Sequence, residues 1–389
     1  MKTILVFVSH YLPGYKAGGP LRTIANLVEH LGDEFHFKIV TGDRDFEDTQ
    51  PYPGVITGEW NRVGAAEVYY MSSEMQNASS IYHLLNSTDY DILYLNSFFA
   101  ARFTIFPLLL RRVGVIPDKP LVLAPRGEFS PGALALKSLK KRSFLGVAQI
   151  LKLYSHILWH ASSELERKNL QENVLAAFDV QVALNLPPKA DLKQQTARAR
   201  KIPNLLRVVF LSRISPMKNL DGALKILEGI QGTVHFDIYG PISDPSYWAE
   251  CQKIIGSIES KLLTITYCGT VEHDQVFETF KQYDLFLLPT HGENYGHVIH
   301  ESLVAGCPVL ISDQTPWQDL EDNYAGWVCA AGDVEAYRSE VMKCIEMDNE
   351  EHQEWAQGAH RFGVKVSLDE KVVAQNRQIF TRALAGDFS

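Results

Sequence analysis

Four charged residues in the second half of the chain have the types and spacing to hold a phosphorylated ligand. Arg213 and Lys218 lie close together in "SRISPMKNLDGA", and Glu293 and Glu301 sit on either side of a glycine-containing turn in "HGENYGHVIHE". A guanidinium fork and an ammonium that converge can clamp a diphosphate. An ionised carboxylate only accepts hydrogen bonds, and it can take them from two vicinal hydroxyls, as on a ribose or a sugar ring. Each pair also has a plain reading. Glutamate is favoured near helix starts and on solvated helix faces, and Arg213 and Lys218 suit solvated turn positions.

The neighbouring segments show what positions these residues. "LRVVFLS" runs into Arg213 and "DLFLLPT" runs into "HGENYG". Continuous apolar runs closed by polar turns are strands of a parallel sheet buried on both faces. Asn294, Tyr295, Gly296 and His297 form the turn into the helix "GHVIHESLVAG", where backbone N–H groups face whatever sits above the strand end. Glu293 precedes this turn and Glu301 lies more than one helical turn inside, so the two can flank one extended ligand. "NLDGALKILEGI", "VHFDIYG", "SYWAECQKIIGSI", "LTITYCG", "HDQVFETFKQY" and "PVLIS" continue the alternation of helix and strand.

The first half of the chain repeats the pattern. "TILVFVSH" reads as a buried strand. "GGPLRTIANLVEHLG" reads as a helix, with Leu21, Ile24, Leu27, Val28 and Leu31 on one face and Gly32 as its stop, and "FKIVTG", "DILYLNS" and "PLVLAPRG" read as further strands. Between the halves, "LNLPPKADLKQQTARARKIPN" has adjacent prolines and no apolar periodicity, as a linker does. The expected architecture is α/β, with two doubly wound Rossmann-like domains at 1–185 and 205–367 and a linker at 186–204. A C-terminal helix at about 368–389 is expected to rejoin the first domain. In such sheets ligands sit outside the carboxyl ends of the strands.

Bulk properties narrow the function classes. The chain has 389 residues, enough for two cores, and is 46% apolar and 21% charged, which suits a globular protein. No apolar run is long enough to cross a bilayer, and the start lacks the small-residue cleavage site of a secretory signal. The five cysteines show no paired metal spacing, so they are expected to be reduced thiols in a cytoplasmic protein. The net charge is -9. Residues 1–185 hold 18 basic and 18 acidic residues and the remainder 19 and 28, which argues against a nucleic-acid partner. "YLPGYKAGGPLRT" places Gly14, Gly18 and Gly19 before a helix, where glycine lets backbone N–H groups approach a phosphate, although a merely tight turn fits as well. It matches neither G-x-G-x-x-G nor the P-loop, which removes the main support for a dehydrogenase or an ATPase.

Taken together, Arg213, Lys218 and the Glu293/Glu301 pair with seven residues between them resemble the donor site of the retaining GT-B glycosyltransferases of family GT4. The glycine loop, "PRGEFSPGAL", "HASSELE" and "GCPVLISDQTPW" extend the resemblance over nearly the whole chain. The resemblance implies two domains facing each other across a cleft and a nucleoside diphosphate sugar held chiefly by the second. Glu301 would then accept from the ribose and Glu293 from the donor sugar, while Arg213 and Lys218 stabilise the departing diphosphate. Gly18, Gly19 and the turn Asn294, Tyr295, Gly296 and His297 would offer backbone to the donor, and the base would be read near Gly240 and Val271. Retaining enzymes of this kind use front-face attack without a protein nucleophile, so the two glutamates are not a glycosidase pair. No metal or other cofactor is expected. Asp43-Arg44-Asp45 is similar to the metal-binding D-x-D of another glycosyltransferase fold, but it follows the second strand of the first domain and reads as a surface loop. Arg126 and His160 match acceptor-side or donor-side positions, with a structural arginine and a core histidine as the plain readings. Asn96 and Ser97 stand where many relatives carry a histidine.

On the acceptor side, "KSLKKRSFLGVAQILKLYSHILWH" carries Lys137, Lys140, Lys141, Arg142 and Lys152 without an acid, beside Phe144, Leu145, Val147 and Ile150. This suits an anionic membrane surface and equally a core helix with a solvated basic face. With a membrane partner, the acceptor would be a lipid-linked saccharide of a surface polysaccharide such as O-antigen, capsule or exopolysaccharide, and the protein would be peripheral on the inner face of the cytoplasmic membrane. The alternatives are a small soluble acceptor and a nucleotide-sugar-binding protein without turnover.

Overall fold

In a computed structural model the structure describes residues 1–135, 138–189, 198–386 and 388. The chain forms two compact units, Met1–Lys189 with Asp369–Ser389, and Ala190–Leu368.

The first unit holds β1 (Lys2–Phe7), β2 (Phe35–Gly42), β3 (Trp60–Val63), β4 (Ala66–Met71), β5 (Ile92–Asn96), β6 (Leu121–Ala124), β7 (Leu158–Ala161) and β8 (Val180–Val182). They form one sheet in the order β3-β4-β2-β1-β5-β6-β7-β8. All neighbours are parallel except the β3–β4 hairpin. β1 lies between β2 and β5, with Val6 opposite Ile39 and Tyr94. Because side chains alternate along a strand, Ile4 and Val6 face one layer and Leu5 and Phe7 the other. The first pair packs with Ile24, Leu27 and Phe380, the second with Ile81, Leu85 and Phe98. Burial on both faces is why β1 reads as an unbroken apolar run. The helix Glu370–Ala385 belongs to this unit. Phe380 meets Phe35, Phe37 and Tyr94, and Asn376 Nδ2 donates to Leu184 O (2.8 Å).

The second unit holds β9 (Leu205–Leu211), β10 (Thr233–Tyr239), β11 (Leu263–Gly269), β12 (Leu285–Leu288), β13 (Val309–Ser312) and β14 (Gly326–Cys329). These form a wholly parallel sheet in the order β11-β10-β9-β12-β13-β14 around a single core. The long C-terminal helix Asn349–Ser367 carries a capping box at Asp348 and Glu351.

Both flanks of the expected linker are docked. Asn26 Nδ2 donates to Leu186 O (2.8 Å) in the first unit. In the second, Arg198 donates to the carbonyls of Ala305 and Tyr283, and the buried Lys201 Nζ donates to Ile202 O (2.9 Å) and Leu205 O (2.8 Å). These cations answer backbone carbonyls, a use of charge that leaves no apolar period in the sequence.

The expectation of a surface loop at Asp43-Arg44-Asp45 is corrected. Asp43 and Asp45 are buried, and Arg44 pairs with Asp43. Asp45 Oδ2 accepts from the backbone of Tyr15 (2.7 Å) and Lys16 (3.0 Å), and Lys16 pairs with Asp48 (2.6 Å). The segment is therefore a clamp on the glycine loop that leads to the helix Gly19–Leu31, whose N-cap is Gly18 at φ 74.

Candidate functional site

In the second unit the strand order reverses between β9 and β12, and loops leaving neighbouring strands at such a switch point diverge and leave a crevice. Arg213 and Lys218 follow β9, and Glu293 follows β12. The two loops are stitched together. Met217 O accepts from His291 N (2.9 Å) and Thr290 Oγ1 (2.9 Å), and Asn219 Nδ2 donates to Pro289 O (2.7 Å). Lys218 Nζ forms an ion pair with Glu293 Oε1, with both side chains largely buried. Glu293 N in turn donates to Gln314 O beyond β13 (2.9 Å). Three strand ends thus fix an ammonium and a carboxylate.

Asn219 is a site residue missed in the sequence. It holds a left-handed backbone (φ 58), caps the helix Leu220–Leu227 and accepts from Gly222 N (3.2 Å). Its signal was an asparagine directly before the apolar period "LDGALKIL". Gly240 supports the turn that bears Arg213. Its φ is 140, and a Cβ there would lie 1.9 Å from Ser212 O, so no other residue fits. Its N–H is committed to Gly269 O (2.8 Å), and its carbonyl accepts from Tyr267 Oη (3.0 Å). Gly240 therefore acts by packing rather than by offering a free amide.

Gly296, at φ 79, caps the helix His297–Val304 that carries Glu301. Glu301 Oε1 is 3.8 Å from His273 Nδ1, which lies two residues beyond Val271 in the segment after β11. Asn294 is part-exposed, but the Tyr295 side chain points into the core. The Tyr295 ring lies 5.4 Å from Trp317, its carbonyl accepts from Trp317 Nε1 (2.5 Å), and burial with the Glu301 charge raises its hydroxyl pKa. The ring is thus taken up by the core, and the expectation for Tyr295 concerns its backbone alone. His297 is buried against the same ring.

In the first unit Arg126, His160, Asn96, Tyr94 and Asn185 form one network. Arg126 donates to Asn96 Oδ1, Asn185 Oδ1 and Tyr94 Oη, and Tyr94 Oη lies 2.7 Å from His160 Nδ1. His160 Nε2 is 2.9 Å from Ala183 O, a pure acceptor, so Nε2 carries the proton and Nδ1 accepts from the tyrosine. His160 is fully buried. Burial and the Arg126 charge push its pKa down to about 3, and burial takes His300 down to about 4. Both are core residues that act through neighbours.

These shifts make a prediction for stability. A histidine whose folded pKa lies below its unfolded value of about 6.5 binds protons preferentially in the unfolded chain, so its contribution is present above that value and lost below it. Moving from pH 7 to pH 5 should lower the unfolding free energy by about 2 kcal/mol for each of the two histidines. Urea titrations at the two pH values check this, and an unchanged midpoint would contradict it.

Among the described residues no group of three or more His, Cys, Asp or Glu is placed to hold a metal, and no helix is long and apolar enough to cross a membrane. Of the basic patch, Lys137 lies outside the described residues. Lys140 and Arg142 are exposed on the helix Ser138–Ile150. Lys141 turns inward, with Nζ donating to Ala133 O (2.7 Å) and lying 4.9 Å from the Phe99 ring centre. Val147, Ile150 and Leu151 are exposed beside them, and Arg112 Nε on Leu151 O (2.7 Å) ties this end to the segment bearing exposed Val113 and Val115.

Structures of known proteins share this architecture. A sucrose-phosphate synthase of Thermosynechococcus elongatus matches with a TM-score of 0.72 at 16% identity, covering 99% of this chain and 100% of that one. The fold is GT-B. Anabaena HepE in complex with UDP and glucose matches this GT-B chain at 0.69 and 17% identity, covering 98% and 99%. The lipopolysaccharide outer core galactosyltransferase WaaB matches at 0.62 and 14%, covering all of both chains. By sequence, residues 193–362 match the family model described as glycosyl transferases group 1. No curated protein matches. The matched segment contains Arg213, Lys218, Glu293 and Glu301, so the family model falls on the part of the GT-B fold that carries the switch-point site.

Proposed function

We propose that the protein is a retaining glycosyltransferase of family GT4 that moves a sugar from a nucleoside diphosphate sugar to a saccharide acceptor. The observation that carries this reading is the Lys218–Glu293 pair at the β9/β12 switch point, with Arg213 on the adjoining turn, inside the segment that matches the group 1 model. A diphosphate departing from an anomeric carbon gains negative charge, and fixed cations at that point lower the barrier. Arg213 and Lys218 hold that charge without a metal ion. Glu293 takes hydroxyls of the donor sugar and Glu301 those of the ribose, because a carboxylate on a stitched loop accepts from two hydroxyls without reorganising. The UDP and glucose in the HepE complex support a uridine nucleotide as the first donor to try.

A thermal-shift panel of UDP-, GDP-, ADP- and TDP-sugars tests this. A donor at a hundred times its Kd stabilises the folded chain by about 2.7 kcal/mol. One nucleotide series should raise Tm, and transfer should persist in excess EDTA. Absence of any shift would sink the reading.

The acceptor is proposed to be lipid-linked, in surface polysaccharide synthesis. Exposed Val147, Ile150 and Leu151 adjoin Lys140 and Arg142, the composition of a face that meets an anionic bilayer. A small soluble acceptor would leave this face without a use. Replacing Lys140 and Arg142 by Glu should weaken binding to phosphatidylglycerol vesicles by at least tenfold, at about 1 kcal/mol per basic residue removed plus the added repulsion. Sedimentation of the variant equal to that of the parent would remove the membrane and leave the soluble acceptor.

A further inference from the structure

We propose that Arg126 anchors an oxyanion site at the carboxyl ends of β5 and β6, and that the acceptor therefore bears a phosphate or carboxylate group. Assigning the site to the acceptor rests on the transferase reading above. Arg126 is part-exposed and every one of its hydrogen-bond partners is neutral. Nε and Nη2 donate to Asn96 Oδ1 (3.0 and 2.8 Å), Nη2 to Tyr94 Oη (2.6 Å) and Nη1 to Asn185 Oδ1 (2.8 Å). No carboxylate among the described residues is within ion-pair distance of it. Arg207, Lys281 and Lys218 each have one, Asp284 (2.6 Å), Glu278 (2.6 Å) and Glu293, whereas Arg198 and the buried Lys201 are answered by backbone carbonyls.

The two nearby carboxylates are turned to other donors. Glu166 accepts from Gly127 N (2.5 Å) and from Ser162 N and Oγ (2.7 Å each). Glu128 accepts from Ser97 Oγ (2.8 Å), Phe98 N (2.5 Å) and Phe99 N (3.0 Å). They staple the two strand ends and leave the guanidinium charge unanswered. The backbone beside these contacts is strained. Ser97 and Arg126 both adopt positive φ (89 and 58), directly after the neighbouring strands β5 and around the turn from β6.

The donor inventory points the same way. A guanidinium has five N–H donors, and the four contacts leave one, on Nη1. Asn185 is almost fully buried, and because its oxygen must face Arg126, its NH2 is the free side of the amide. No described residue accepts from it. One guanidinium N–H and one amide NH2, side by side, suit two oxygens of a single oxyanion. The position is also where ligands collect. In the first sheet the order reverses between β1 and β5, and Asn96 Nδ2 reaches Phe7 O at the end of β1 (3.5 Å).

The test is calorimetry on the full chain with saturating UDP, which occupies Arg213 and Lys218, titrating glucose, glucose 6-phosphate, glucuronate and inorganic phosphate. At least one charged sugar should bind ten or more times tighter than glucose, and tighter than inorganic phosphate. Arg126→Gln should abolish that preference. Asn185→Asp keeps the size of the side chain and sets a carboxylate against Arg126, so it should abolish the preference as well while leaving UDP affinity unchanged. If Arg126→Gln does not fold, Asn185→Asp decides. Equal binding of glucose and the charged sugars, retention of the preference in Asn185→Asp, or displacement of the charged sugar by UDP overturns the proposal. Inorganic phosphate binding as tightly as the sugar phosphate overturns its assignment to the acceptor. Failure of UDP itself to bind counts against the transferase reading and leaves the comparison of anions readable.

Discussion

Replacing Lys218 by methionine should lower the rate of sugar transfer by roughly 10²–10³-fold, the effect of removing one pre-placed charge stabiliser from a transition state. Methionine keeps much of the stem and removes the ammonium, so the change is chiefly electrostatic. Lys218 sits on a short 3-10 turn held between β9 and the loop after β12, with Met217 accepting two hydrogen bonds and Asn219 donating one. A charge held this way needs no reorganisation as the leaving diphosphate gains charge. Lys218→Arg keeps the sign but exchanges a compact ammonium for a planar fork, so it should recover only part of the rate. A structural effect is separable. Loss of Lys218 leaves Glu293 a shielded carboxylate without its partner, and denaturant unfolding reports that cost independently of turnover. A variant with lowered stability and full turnover would remove Lys218 from the chemistry.

The parts of the molecule that were legible in the sequence are those where side-chain periodicity reports burial directly. β1 and β12 are buried on both faces and read as apolar runs, and the helix Gly19–Leu31 buries Leu21, Ile24, Leu27, Val28 and Leu31, the stripe its spacing defines. The polar segments after β9 and β12 gave the four donor candidates, because strand ends are where ligands bind. What was hidden depends on contacts between distant backbones. Asp45 looked like a surface acid, and only the fold brings the amides of Tyr15 and Lys16 to it. Tyr295 looked like a turn residue until Trp317, from the loop after β13, closed over it. Asn185 fell next to a proline-rich segment and drew no attention, yet it faces Arg126 from the far end of the unit's sequence. The segment with exposed Val113 and Val115 is tied to the end of the basic helix by Arg112 on Leu151 O, a contact between distant parts of the sequence.

The two glutamates should separate under mutation in opposite ways. Glu301→Ala removes an acceptor assigned to the ribose, so it should weaken the free nucleoside diphosphate and the intact sugar donor alike. The loss is roughly 10- to 100-fold, the equivalent of about 1.5–3 kcal/mol for hydrogen bonds to a charged group. Glu293→Gln acts differently because the structure pairs Glu293 with Lys218. In the parent protein the paired carboxylate offsets part of the ammonium charge that a diphosphate would meet. The amide lacks that charge and leaves the ammonium available, so the free nucleoside diphosphate should bind as tightly as before or a few-fold tighter. The intact donor gains the same phosphate contact but loses its charged acceptor at the sugar hydroxyls, and its transfer rate should fall by roughly 10- to 100-fold. Calorimetry with nucleoside diphosphate and nucleotide sugar on both variants, set beside kcat, reads each arm separately. Parallel losses for both ligands in Glu293→Gln would mean that Glu293 acts only by holding Lys218 in place.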